Sequence, residues 1–133
     1  INKAQLFVYG LDTGITTSAE LKQKVIVSGS GTMKVVFTEY GLGTGAKINV
    51  VVDNNIVKSY TIVIFGDVNG DAIIDTNDSS TIEVVANGIE DFGLDALVFA
   101  ADLNGDGTVD PLDTASAESA ANGITDIDQV NPY

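Results

Sequence analysis

Two segments of the chain carry Asp and Asn residues at the spacing of a calcium-binding loop. They are GDVNGDAIIDTND at residues 66–78 and ADLNGDGTVDPLD at residues 101–113, which align residue for residue. Calcium prefers about six to eight oxygen ligands, and a loop of about twelve residues supplies them from its positions 1, 3, 5, 7, 9 and 12. The sequence therefore predicts two calcium ions. The first loop would supply Asp67, Asn69, Asp71, the backbone carbonyl of Ile73, Asp75 and Asp78. The second would supply Asp102, Asn104, Asp106, the backbone carbonyl of Thr108, Asp110 and Asp113.

The two loops differ at position 6, which is Ala72 in the first and Gly107 in the second. A positive φ at Ala72 would cost roughly 1 kcal/mol, because its Cβ crowds the backbone there. We therefore expect the first site to be the weaker or more distorted of the two. Both loops also end in Asp where the usual loop has Glu, so the last carboxylate has one methylene less of reach.

Two other interpretations of these acidic residues are open. The loops could be Asx-rich turns without an ion, although two copies in a segment without basic residues disfavour this. A pair of carboxylates could also serve as the acid and base of a glycosidase. However, every loop Asp already has a place in the ligand pattern, and we expect none to have an apolar pocket that raises its pKa. The chain also lacks His, the usual general base and zinc ligand, so we predict that it is not an enzyme.

Charge divides the chain into two parts. The formal net charge is −13, all six Lys lie at or before Lys58, and there is no Arg. From Gly66 onward there are fifteen acidic residues and no basic one, so this part would repel itself unless cations neutralise it. Nucleic acid and anionic membranes are therefore poor partners, and no nucleic-acid partner is predicted. No apolar run approaches the roughly 20 residues that span a bilayer, so no membrane insertion is predicted.

The first 65 residues predict a small β-rich module. Thr17 and Glu20 have the spacing of a capping box and predict a helix that runs to about Val25. Asp53-Asn54-Asn55 predicts a hairpin turn, and the glycine-rich residues 41–45 predict a turn as well. No linker separates this module from Gly66, which favours two modules packed as one unit. The predicted strands cover residues 4–9, 33–38, 47–52 and 56–65.

Helices are predicted after each loop and between the two loops. The helix after each loop has about ten residues and ends at Asn-Gly, a strong C-terminal cap, and residues 93–100 predict the connecting helix. Helical spacing places Val84 at the surface. The predicted fold class is α+β, with a small β-rich module at residues 1–65 packed on an all-α module at residues 66–133. The predicted core positions are Ile82, Val85 and Ile89 in the first helix, and Ala117, Ala120 and Ile124 in the second.

The duplicated loops resemble those of dockerins, calcium-binding modules that dock secreted bacterial proteins onto cohesins in cellulosome-type, polysaccharide-degrading assemblies. The resemblance covers Gly66 to about Asp128 and rests on GDVNGD, ADLNGDG, Asp at position 12 and the lack of a full incoming helix. The residues before it have Val-type strands, the glycine-rich residues 41–45 and a strand at residues 60–65 that runs into GDVNGD, and they are similar to the X module that often precedes a dockerin. The chain begins at Ile1, without a signal-peptide pattern, and we expect it to be a piece of a longer protein.

The resemblance implies a partner, a surface and a location. The partner would be a cohesin of a scaffold or cell-surface anchoring protein, and the module would be secreted or lie at the bacterial cell surface. The alternative function is a calcium-stiffened structural spacer of a bacterial surface protein without a dedicated partner. The contact residues that the resemblance implies are Thr76, Asn77, Glu83, Val84, Pro111, Leu112, Glu118 and Ser119. Helical geometry adds Ser80 and Asn87, which are predicted to lie beside Val84.

Overall fold

The computed structural model describes residues 5–132, and in them a four-stranded sheet precedes a group of three helices. We call residues 5–65 the sheet half and residues 66–132 the acidic half. This combination of a sheet and helices confirms the α+β class. The elements are β1 (Phe7–Val8), α1 (Ser18–Lys24), β2 (Thr32–Val36), β3 (Lys47–Val52), β4 (Asn55–Ile62), α2 (Thr76–Ala86), α3 (Asp95–Ala101) and α4 (Pro111–Ala121).

The sheet has the strand order β1-β4-β3-β2, with β1 parallel to β4 and the other pairs antiparallel. The predicted turn between β3 and β4 is confirmed, since Asp53 and Asn54 have φ of 50° and 62°. The first strand is shorter than predicted because Leu6 has a φ of 56° and breaks the extended backbone. Residue 4 of that prediction lies outside the described residues.

The other strand limits differ from the predictions by a few residues. β2 ends at Val36 and β4 at Ile62, before the limits predicted from the apolar runs. The chain beyond β4 stays buried through Phe65, and the Val63 N–H donates to the carbonyl of Val8 at 2.8 Å. The predicted capping box of α1 is confirmed: the Glu20 N–H donates to Thr17 Oγ1 at 3.2 Å, and the Thr17 N–H to Glu20 Oε2 at 3.0 Å.

The two halves share a hydrophobic core. Phe65 and Phe99 have ring centroids 5.3 Å apart, and Phe7 and Tyr9 of the sheet half lie 5.4 and 5.9 Å from Phe99. The same cluster includes Ile82 of α2 and Ala117 of α4, both wholly buried. This packing agrees with the absence of a linker, while the domain boundary at residue 65 stays a prediction.

The core prediction for the ends of α2 and α4 was wrong at Ile89 and Ile124, which are 72% and 75% exposed. Each follows a Gly with a φ of 69°, where the helix has already ended, so the helical period no longer applies. The Ile89 N–H donates to the Val84 carbonyl at 3.1 Å, the six-to-one bond of a Schellman cap. None of the helices within residues 5–132 is both long and apolar enough to cross a bilayer.

Candidate calcium loops and docking surface

The first loop is held by hydrogen bonds from its own backbone to its acidic and amide side chains. Asp67 accepts from Gly70 N–H through Oδ1 at 2.6 Å and from Ala72 N–H through Oδ2 at 3.1 Å. The Asn69 side chain accepts from Asp71 N–H at 2.9 Å. These bonds curl the backbone around the predicted ligands at positions 1, 3 and 5.

The second loop repeats the pattern. Asp102 accepts from Gly105 N–H through Oδ1 at 2.8 Å and from Gly107 N–H through Oδ2 at 2.9 Å. The Asn104 side chain accepts from Asp106 N–H at 2.9 Å. The sequence repeat is therefore also a structural repeat at the level of individual bonds.

The last predicted ligand of each loop ties the loop to the helix that follows. Asp78 is wholly buried, and its Oδ1 accepts from Val68 N–H and Asn69 N–H at 2.9 and 3.3 Å. Its Oδ2 accepts from Asp75 N–H at 3.0 Å, which completes a capping box at the start of α2. Asp113 is also wholly buried. Its corresponding donors are Leu103, Asn104 and Asp110.

Each loop has at least one buried carboxylate that lies close enough to another carboxylate to be repelled by it. The expectation that no loop Asp has an environment that raises its pKa was wrong: burial raises the pKa of Asp78 to about 6, and the charge of Asp67 adds to the rise. Burial likewise raises the pKa of Asp67, with a smaller contribution from Asp71, although the N–H groups that it accepts from favour the ionised form. Burial also raises the pKa of Asp113. A cation bound in each loop would offset both the burial and the repulsion.

The donor chemistry fits calcium, because every predicted ligand is an oxygen of a carboxylate, an amide or a backbone carbonyl. Among residues 5–132, no three acidic side chains already converge closely enough to hold a metal ion. The carbonyls at position 7 belong to Ile73 and Thr108, whose N–H groups donate to Asp71 and Asp106 at 2.8 and 2.9 Å. The ligand roles therefore stay predictions, supported by the loop bonding and by the donor set.

The first loop is more deeply buried against the sheet half than the second. Asp67 is wholly buried while Asp102 is half-buried, and Ala72 is buried while Gly107 is exposed. Ala72 has a φ of 65°, so the positive φ considered from the sequence is present. Its methyl packs in the core of the sheet half. The sequence analysis did not predict that Ala72 packs on the sheet half. The sequence feature near this contact is the glycine-rich segment at residues 41–45.

The predicted docking surface is accessible along α2 and α4. Leu112 is 65% exposed at the start of α4, although it is apolar. The expectation that Val84 is exposed was wrong, because Val84 is half-buried, and Ser119 at the equivalent position is half-buried as well. The exposed members of the predicted surface are Thr76, Asn77, Ser80, Glu83, Asn87, Pro111, Leu112 and Glu118.

Comparison with known families gives one match for this region. Residues 65–116 match the family model described as the dockerin type I domain. A dockerin is a non-catalytic, calcium-dependent docking module, and the match supports one in this part of the chain. The residues before 65 lie outside the match, so the similarity to an X module stays a prediction. No curated protein and no solved structure was found to match.

Proposed function

We propose that the acidic half binds two calcium ions and thereby docks its parent protein onto a cohesin of a scaffold or cell-surface anchoring protein. The observation that carries this proposal is the duplicated loop, repeated bond for bond within the segment that matches the dockerin type I domain. The setting would be extracellular, at the surface of a bacterium that assembles cellulosome-type complexes.

In this function the loops hold the ions and the helices present the contact surface. Calcium supplies the positive charge that lets the buried carboxylates of one loop lie together. Asp75 and Asp110 are each both a predicted ligand and the N-cap of the following helix. The conformation of each loop therefore determines where α2 and α4 begin, and this in turn determines the positions of Asn77 and Leu112.

Binding to a panel of cohesins, in calcium and in chelator, tests the proposal. Two double variants form a matched pair. The test variant combines Asp71→Ala with Asp106→Ala, and the control combines Asp91→Ala with Asp126→Ala. Both double variants remove the same charge from repeat-equivalent positions, but only the first pair removes predicted ligands. We expect calcium-dependent capture of the wild type and of the Asp91/Asp126 control, and loss of capture for the Asp71/Asp106 variant.

The alternative function, a calcium-stiffened spacer, predicts a different outcome. Calcium would still raise the thermal stability of the wild type, but no cohesin would be captured under any condition. That result would contradict the docking function. Capture in chelator at the same affinity would contradict the role of calcium.

A further inference from the structure

The sheet half contributes directly to the surroundings of the first calcium loop. We call residues 41–45 the glycine loop. The N–H of Thr44, in this loop, donates to Oδ2 of Asp67 at 2.9 Å. That oxygen also accepts from Ala72 N–H, so it has two donors. In the second loop, Oδ2 of Asp102 accepts from the Gly107 N–H at 2.9 Å.

Two hydrogen bonds hold Thr44 in place and thereby orient its N–H toward Asp67. Its hydroxyl donates to the Ile64 carbonyl at 3.1 Å and accepts from the Ile64 N–H at 3.0 Å, and all of these groups are buried. The neighbouring Gly45 N–H donates to the carbonyl of Ile62 at 2.9 Å. The donor to Asp67 is therefore attached to the strand that leads into the first calcium loop.

A second contact holds the backbone of the loop. The carbonyl of Gly70 accepts from Gly43 N–H at 3.1 Å and from the Thr38 hydroxyl at 2.8 Å. There is no space between the two segments, since a Cβ at Gly43 would overlap Oδ2 of Asp67 and the backbone of Gly70. By contrast, a Cβ at Gly107 would meet no heavy atom within 4 Å.

We propose that the glycine loop and Thr38 form an outer layer of the first calcium site, which therefore binds its ion more tightly and releases it more slowly than the second site. Groups that orient a ligand from outside are worth about 10- to 100-fold in metal affinity. The inference rests on the proposed function, because it requires calcium in both loops. It reverses the order expected from the φ of Ala72 alone, since the Ala72 methyl is packed in the core of the sheet half.

Gly43→Ala in the full chain tests the inference. The backbone of Gly43 is outside the left-handed region, so Ala adds a steric contact without backbone strain. Calcium titrations of isotope-labelled protein would follow the amides of Ala72 and Gly107, which report on the position-1 carboxylates of the two loops. We expect calcium affinity at the first site to fall by about tenfold or more and at the second to change by less than about twofold.

If Gly43→Ala does not fold, a pair of milder variants tests the same inference. Thr38→Val removes the hydroxyl that donates to Gly70, whereas Thr32→Val removes a peripheral hydroxyl that lies 3.4 Å from the Val51 carbonyl. We expect Thr38→Val to increase the rate of calcium release at the first site and Thr32→Val to leave it unchanged. The amides of β3 and β4 show whether the sheet is intact in each variant.

Several results would overturn the inference. Gly43→Ala would contradict it by lowering calcium affinity equally at both sites or at neither. The wild type would contradict it by releasing calcium faster from the first site than from the second. In each case the proposed function would still stand. A wild type in which calcium shifts neither reporter amide would overturn the proposed function together with this inference.

Discussion

Gln129 forms a pair of hydrogen bonds with the backbone of Phe65, the residue directly before the acidic half. The Phe65 N–H donates to Gln129 Oε1 at 2.7 Å, and Gln129 Nε2 donates to the Phe65 carbonyl at 2.9 Å. Ile127 covers Gly66, where an added Cβ would lie 2.7 Å from its Cδ1. The last residues of the described chain therefore close over the start of the first calcium loop.

Removing this pair of bonds should destabilise the protein. We expect Gln129→Ala to lower the free energy of unfolding by about 1–3 kcal/mol, because the N–H and carbonyl of Phe65 would lose these partners in a buried environment. Gln23→Ala is the matched control, since Gln23 is exposed on α1. Urea unfolding in saturating calcium measures both variants, and equal losses would contradict the role given to Gln129.

Calcium removal should affect the two halves unequally. The acidic half has no basic residue to balance its carboxylates, and one site at a hundredfold its dissociation constant adds about 2.7 kcal/mol. In chelator we expect the amide signals of α2 and α4 to lose dispersion while those of β2, β3 and β4 persist. β1 should loosen as well, because Phe7 packs on Phe99 of α3.

Nuclear magnetic resonance spectra in calcium, in magnesium and in chelator measure this. Magnesium is the control for ionic strength and charge, since it keeps its waters and rarely fills a cage of protein ligands. Well-dispersed signals from α2 and α4 in chelator would contradict the prediction.

Exchange of Ala and Gly at position 6 should change stability by different amounts in the two loops. Ala72→Gly relieves roughly 1 kcal/mol of strain but loses a buried methyl worth about 0.8 kcal/mol and adds freedom to the unfolded chain. We expect a net change within about 0.5 kcal/mol. Gly107→Ala introduces the strain with no packing in return, so it should lose roughly 1 kcal/mol.

Thermal and urea unfolding in saturating calcium compare the two variants of position 6. A gain of about 1 kcal/mol or more for Ala72→Gly would mean that strain outweighs the packing of the Ala72 methyl.

Docking should have one orientation. Asn77 and Leu112 are exposed and hold equivalent positions of the two repeats. A partner group that hydrogen bonds to Asn77 would lose about 1–3 kcal/mol against Leu112. Asn77→Asp and Leu112→Asp should therefore weaken cohesin binding by unequal amounts. Both positions are exposed, which makes them better probes than half-buried Val84.

Calorimetric titration with a cohesin that binds the wild type measures the affinities. Small and equal losses from the single variants, with binding abolished only in the double variant, would show that the module docks both ways round.

Local features were predicted well because nearby residues determine them. The capping box of Thr17 and Glu20 and the turn at Asp53 and Asn54 depend on contacts a few residues apart. The predicted core position of Ile89 was wrong, because α2 ends at Ala86 and Gly88, which has a positive φ, turns the chain before Ile89.

Contacts between the halves could not be predicted in the same way. Thr44 and Asp67 are 23 residues apart. The hydrogen bond between them is donated by a backbone N–H, so it does not depend on the side chain at position 44 and cannot be recognised from the sequence. The space required at Gly43 is visible only when the sheet and the loop are packed together. The sequence therefore distinguished the two loops only at position 6, and the contact of the first loop with the sheet half was missed.

The shared core also limits how the parts of this protein can be reused in engineering. A duplicated binding element suggests a cassette that could be moved to another protein as a fusion tag. Moving residues 66–132 alone would expose the buried methyl of Ala72 and uncover the faces that pack on Phe7 and Phe65. A graft that retains the sheet half would keep both faces covered, so the transferable unit is the whole described chain.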